Sequence, residues 1–408
     1  MKVTIVVGGR WHAFDLAKEL YLKGYLYRLI TNYPYFAIKK WGIPKEHVVS
    51  LPTTFFLVKA IYWLGGESLM MKCQWLIHSW FARQASKHLK GSQLIHAWSS
   101  WAEPSLEWSI RNAIPSILER SSAHILEQSS LLRSEYLRLG STWSQTHPKI
   151  EAMECREYQL ASMISVPSTF VQDTFKSRGF KEPKVAKHLL GADLRKFVPK
   201  GPSINNSINK NALKILFVGS LTPQKGVHDL LNAFNGFHSN SSCLTLLGGG
   251  ISKEIKQVIN HNHDTRVICP GHQDQNKLID YYHRHDILVL PSIQDGFGMV
   301  LAQALCCGLP IIASVNTGGK DLLELDGLSP RTVRFAGIDC VEYSAGWIIP
   351  IRSPAVMTSI FEYIHVNQIV LSAKQDAARL LRNADLSWQS YASSLCFSYM
   401  SLLKCETK

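Results

Sequence analysis

Short apolar runs closed by glycine or proline recur along the chain, and the stretches between them carry apolar residues at helical spacing. VTIVV (3–7) is β-branched and ends at Gly8-Gly9, the pattern of a buried strand running into a turn. HAFDLAKELYLKG (12–24) then shows helical periodicity and a glycine stop. YRLIT (27–31) predicts the next strand. QLIHAW (93–98), PSILE (115–119) and MISVPS (163–168) continue the series, with helical stretches such as HILEQSSLLRSEYLRL (124–139) between them. Such alternation predicts a parallel sheet wound with helices on both faces.

The rhythm breaks at VPKGPSINNSINKNA (198–212), rich in Pro, Ser and Asn, which predicts a linker. It restarts with LKILFVGS (213–220), CLTLLGGG (243–250), RVICPG (266–271), DILVLPS (286–292) and LPIIAS (309–314), and helices such as DLLNAFNGF (229–237) and KLIDYYHRH (277–285) lie between them. The coarse architecture is two doubly wound, Rossmann-like α/β domains facing a cleft. The boundaries fall at 1–197, 198–212 for the linker, 213–385, and a C-terminal segment 386–408. In open sheets of this class ligands bind beyond the carboxyl ends of the strands.

Bulk properties narrow the picture. At 408 residues the chain suits two cores, and 46% hydrophobic with 18% charged residues excludes a disordered chain. The most apolar stretch, TTFFLVKAIYWLGG (53–66), is short and carries Lys59, so no transmembrane helix is expected. MKVTIVVGGRWH reads as a first strand and not as a signal peptide. The nine cysteines are scattered without a CxxC pair; neither disulfides nor zinc are expected, and a reducing cytoplasm fits. Charge is uneven: residues 1–200 hold 27 Lys/Arg against 15 Asp/Glu, and residues 201–408 hold 17 against 16. The basic first half suits an anionic partner, whether a membrane surface, a phosphorylated acceptor or nucleic acid, and equally suits a soluble basic surface.

The candidate chemistry centres on PSIQDGFGMVLAQALCCGLPIIAS (291–314). A helix entered through Gly296-Phe297-Gly298 offers unpaired N–H groups to an anion, and the glycines permit close approach. Asp295 stands before that helix and Gln303 lies eight residues on, a separation on the order of 12 Å at helical rise. This span suits a ligand with a polyol at one end, a diphosphate in the middle and a ribose at the other; a plain βαβ unit would also produce it. VGSLTPQKG (218–226) places Lys225 at a strand end, where a point charge meets a phosphate well. Gly8-Gly9 is neither GxGxxG nor a Walker loop, so dinucleotide and P-loop readings fail.

Taken together, these segments resemble the retaining glycosyltransferases of family 4, which have the GT-B fold. VGSLTPQKGVHDLLNAF (218–234) is similar to the family's VGRL-x-x-x-KG element, and LLGADLRKFVP (189–199) to G-V-D-x-x-x-F-x-P. LGGG (247–250), the PG turn (270–271), PSIQDGFG (291–298) and GLPIIAS…TGG (308–319) fall in family order. In the first half, residues 118–136 and 154–175 carry the likeness. The resemblance implies a nucleotide-diphosphate sugar as donor. Lys225 would neutralise the diphosphate, and the amides of Phe297, Gly298, Met299 and Val300, entered through Gly296, would cradle it. Asp295 would contact sugar hydroxyls, and Gln303 the ribose. The acceptor would enter past Gly8 and Gly9, near Arg120 and His124. No obligatory metal or other cofactor is implied, transfer would retain anomeric configuration, and the C-terminal run 386–403 would cross back to the first domain. The chain departs from the family's E-x7-E with Asp295 and Gln303, and from its arginine near Lys225 with Ser220.

Two residues keep a second reading. His124, at a helix start, is either a sugar contact or a capping and packing residue. Arg120 is either a phosphate contact or an ion-pair partner of Glu119 or Glu127. The region 51–90 sets Phe55, Phe56, Trp63, Trp75, Trp80 and Phe81 among Lys59, Lys72, Arg83, Lys87 and Lys90, with Glu67 as its only acid. It suits either an anionic membrane interface or a packed helix with a snorkelling basic edge. No recognised nucleic-acid motif is present. The expectation is a cytoplasmic, peripherally membrane-bound transferase of a hexose onto a lipid-linked or polysaccharide-precursor acceptor. A GT-B-fold binding subunit that has lost transfer is the alternative.

Overall fold

The computed structural model describes residues 1–142, 146–199 and 212–405. Its first sheet has strands β1 (Val3–Val7), β2 (Leu26–Thr31), β3 (Val48–Ser50), β4 (Leu94–Trp98), β5 (Ser116–Glu119), β6 (Met163–Val166) and β7 (Val185–Lys187). They lie in the order β3-β2-β1-β4-β5-β6-β7, and every pair is parallel. Every residue of β1, β4, β5 and β6 is buried, as a sheet covered on both faces requires.

The second sheet holds β8 (Lys214–Val218), β9 (Cys243–Leu247), β10 (Val267–Gly271), β11 (Ile287–Leu290), β12 (Ile311–Ser314), β13 (Arg331–Phe335), β14 (Ile338–Tyr343) and β15 (Gly346–Ile349). Its order is β10-β9-β8-β11-β12-β15-β14-β13, parallel as far as β15 and then antiparallel. The hairpin β13–β14 turns at Ala336-Gly337, both at positive φ, the geometry of a two-residue hairpin loop.

Among the strands β1–β7 and β8–β12 the winding direction reverses between β1 and β4 and between β8 and β11. These reversals open the crevices where ligands of doubly wound sheets bind. The loop after β1 is Gly8-Gly9; the turn after β8 leads to Lys225; the loop after β11 contains Asp295.

Several contacts join the two halves. The terminal helix Trp388–Cys405 packs on the helix Ala13–Leu22. Its Tyr399 hydroxyl lies 2.6 Å from His96 Nδ1, and its Ser398 hydroxyl 2.9 Å from His188 Nε2. Elsewhere, buried Glu135 of the first domain gathers Arg138, Arg352 and His228, and Arg138 also reaches Asp229 at 2.6 Å. Ligand atoms of Glu135, His228 and Asp229 cluster within 4.8 Å, but the two guanidinium groups already neutralise the carboxylates, so the cluster is an ion network joining domains. The linker expected over 198–212 lies, for residues 200–211, outside the described residues. Among the described residues no helix is long and apolar enough to cross a membrane.

Candidate active site

Lys225 and Asp295 meet. The short turn Pro223–Lys225 closes on Gly226, whose φ is +68° and whose Cβ position is filled by the Pro291 carbonyl. Only glycine fits there, and its presence seats the Lys225 turn directly on the loop after β11. Lys225 Nζ lies 2.5 Å from Asp295 Oδ2. Asp295 Oδ1 accepts the Gly298 N–H at 3.2 Å. Beyond it, the helix Met299–Cys306 begins, and the N–H groups of its first turn have no carbonyl within their own helix.

The first domain completes this loop. Gly296 abuts the Ser121 carbonyl where a side chain would stand, and Ser168 Oγ donates to the Gly296 carbonyl at 2.6 Å. Gln294 donates through Nε2 to Ser122 Oγ, and its Oε1 accepts from Gln224 Nε2 at 3.0 Å. Gln224, Gln294, Ser122 and Ser168 were not anticipated. The sequence signal for Gln224, Gln294 and Ser122 is closeness to Lys225, Asp295 and Arg120; Ser168 has only its place after β6.

A cavity of about 500 Å³ at the ends of β8 and β9 is lined by Ser220, Gly248, Gly249, Gly250, His272 and Gln273. Gly248 is packed on the Gly219 carbonyl and Gly249 on His272, so these glycines let the strand-end loops close on one another. Gln303 is buried, and its Oε1 accepts the Tyr282 hydroxyl at 2.9 Å, so one lone pair expected for a ribose is engaged. Phe297 is buried and its carbonyl accepts the Gly318 N–H. Met299 and Val300 are half-buried.

In the loop after β1, Gly8 lies under the indole of Trp101, and the Gly9 carbonyl accepts from Thr31 at 3.2 Å. Trp101 in turn stacks on His78 with centroids 3.6 Å apart; this aromatic cover was not foreseen. Arg120 forms a structural ion pair, but with a partner other than Glu119 or Glu127. Its buried guanidinium pairs with Glu154 at 2.9 Å and donates to the Ala123 carbonyl. His124 is only 3% exposed. Its Nδ1 caps the helix Ile125–Arg138 and its ring packs on Tyr158 and Phe175. Burial holds its pKa down at about 3, so the ring is neutral, and it occupies the capping and packing role. Glu119 instead accepts from His12 and His96.

The region 51–90 forms chiefly the helix Thr53–Ala85, broken at Gly66 (φ 59°, ψ −152°). Trp63 is 85% exposed, and Phe56, Leu57, Tyr62 and Leu64 are exposed beside it. The second half packs inward through Ile77, Phe81 and Ala85.

Two doubly wound domains whose switch points face one cleft define the GT-B fold, and the solved structures agree. The Anabaena protein HepE, in complex with UDP and glucose, superposes with a TM-score of 0.67 at 15% identity, covering 98% of this chain and 100% of that one. Residues 203–327, which hold Lys225 and Asp295, match the family model described as Glycosyl transferases group 1. Among curated proteins, a glycogen synthase of Mycobacterium tuberculosis is 27% identical over 197 residues, 47% of this chain and 44% of the relative. An alpha-maltose-1-phosphate synthase of the same organism is 25% identical over 250 residues, 57% and 61% respectively. The chain spans less than half of the first of these relatives.

Proposed function

We propose that the protein is a glycosyltransferase that moves a hexose from a nucleotide-diphosphate sugar, with retention of configuration and without an obligatory metal. The observation that carries this reading is the Lys225–Asp295 pair at the β8/β11 switch point, within the segment matching the group 1 family model. The nucleoside would lie along the glycine-walled cavity, with its diphosphate at Lys225 and the helix start. There the ammonium group and first-turn N–H groups would stabilise charge developing on the leaving phosphate. Asp295 would hold sugar hydroxyls. The acceptor hydroxyl would attack from the Gly8-Gly9 side, giving its proton to the departing phosphate, so no protein nucleophile is required.

For the acceptor we infer a lipid-linked or polysaccharide-precursor molecule. Its support is the exposed aromatic face around Trp63, with Lys59 on the same helix segment, which suits the interface of an anionic membrane. A peripheral, cytoplasmic-face location follows from that reading.

Thermal unfolding with UDP-, GDP-, ADP- and CDP-sugars, with and without Mg²⁺, tests the donor. A ligand at about 100 times its dissociation constant adds about 2.7 kcal/mol. One nucleotide class should raise the melting temperature without metal, and Lys225→Ala should abolish the rise. No shift with any nucleotide would favour the lapsed binding subunit, since Ser220 supplies no second cation and Arg120 is held by Glu154.

A further inference from the structure

The Asp295 carboxylate already makes the two contacts on which a donor phosphate would depend. Oδ2 pairs with Lys225 Nζ at 2.5 Å, and Oδ1 accepts the Gly298 N–H at 3.2 Å. Carboxylate and phosphate oxygens compete for the same cation and the same N–H donor. We propose that Asp295 is an intramolecular placeholder for the donor phosphate. An arriving nucleoside diphosphate displaces the carboxylate from Lys225 and Gly298, and the released carboxylate turns to the sugar hydroxyls. The proposal rests on the donor-site reading above and assigns that site a built-in regulation.

The surroundings confine the exchange to the Asp295 side chain. Gln224 holds the preceding residues, accepting the Ile293 N–H at 2.9 Å and donating to the Gln294 carbonyl at 3.1 Å. Asp295 itself donates its N–H to the Asn316 carbonyl at 3.0 Å, and Gly296 is held by Ser168 at 2.6 Å. With backbone anchored on both sides, rotation about the side-chain bonds is the available motion. The Lys225 and Asp295 side chains are 19% and 17% exposed, so water reaches the pair and can solvate the carboxylate as it leaves.

A short Asp side chain bonds readily to a backbone N–H a few residues on in its own loop, which is the Asx-type contact. A Glu, one methylene longer, would be less suited to it. A site filled by its own carboxylate weakens apparent affinity by the fraction of molecules in the competent arrangement. It also favours complete donors, because only a sugar offers the displaced carboxylate new partners.

The test uses the full chain and sugar-free UDP, GDP, ADP and CDP. Titration calorimetry should show the nucleoside diphosphate that the wild type binds binding about three- to tenfold tighter to Asp295→Asn and Asp295→Ala. Transfer from the corresponding sugar nucleotide should fall in both. Unchanged or weaker affinity in both variants overturns the placeholder. A crystal structure of the wild type with that nucleotide separates displacement from simple loss of a repelling charge. The phosphate should sit on Lys225 Nζ and the Gly298 N–H with the carboxylate turned away; a carboxylate still holding both contacts overturns the proposal. Lys225-dependent binding with unchanged affinity in the variants would leave the donor reading standing and remove only the placeholder. Failure of all four nucleotides to bind any form would remove both.

Discussion

Arg120 and Lys225 are both cations at strand ends beside a cleft, yet their surroundings divide them. Lys225 meets a half-open carboxylate, whereas Arg120 is enclosed with Glu154, both side chains at most 8% exposed. Removing one partner of a buried pair leaves the other charged and unsolvated. Arg120→Met should therefore destabilise the protein by about 3–5 kcal/mol in urea unfolding. Nucleotide affinity, measured where the variant is still folded, should be unchanged; normal stability with lost affinity would return Arg120 to the cleft. Lys225 and Asp295 were each legible in sequence as residues following strands of the second domain, but their ion pair, across 70 residues, was not. Nor was Arg120–Glu154, because the partner lies 34 residues on, in the helix Pro148–Leu160. The engagement of Gln303 by Tyr282 was hidden for a like reason: contacts between elements distant in sequence leave no periodic trace.

Strands that follow a clear turn and hold a largely apolar run were readable; β1, β8 and β12 begin and end within two residues of the expected runs. The strands β13, β14 and β15 and the edge strands β3 and β7 were missed. β13 and the start of β14 face solvent, the turn lacks an Asn-Gly signal, and β3 and β7 have only three residues each, too few to set a period. Packing between elements also hid a pH response. His78 against Trp101, His124 against Tyr158 and His188 under the terminal helix are held neutral by burial, with pKa values near 3, 3 and 4. In the unfolded chain each takes up a proton near the usual 6.5, so the unfolded state binds more protons at acid pH. Stability should be full above about pH 6.5 and decline towards pH 4, by on the order of 1.4 kcal/mol per unit for each group at most. Guanidinium unfolding across that range measures it. A flat profile would mean that these rings are solvated, and His78→Phe should remove one share of the slope.

Across the whole molecule, the excess of positive charge in the first 200 residues and the exposed aromatic face at Trp63 belong to the same domain. Sedimentation with phosphatidylserine-containing vesicles should show binding that weakens as salt rises, since surface charges are screened beyond about 8 Å at physiological ionic strength. The double substitution Phe56→Ser with Trp63→Ser should lower partitioning about tenfold or more, because two aromatic side chains no longer enter the interface. Equal partitioning onto neutral and anionic vesicles would leave the basic surface without a membrane role. The contacts of Gly296 with Ser121 and Ser168, and of Gln294 with Ser122, carry a consequence for how such chains can be recombined. The two halves are not interchangeable cassettes. A chimera that takes its second half from this chain and its first from a relative inherits the donor loop but loses the template that shapes it, unless the graft also brings residues matching 121–122 and 168.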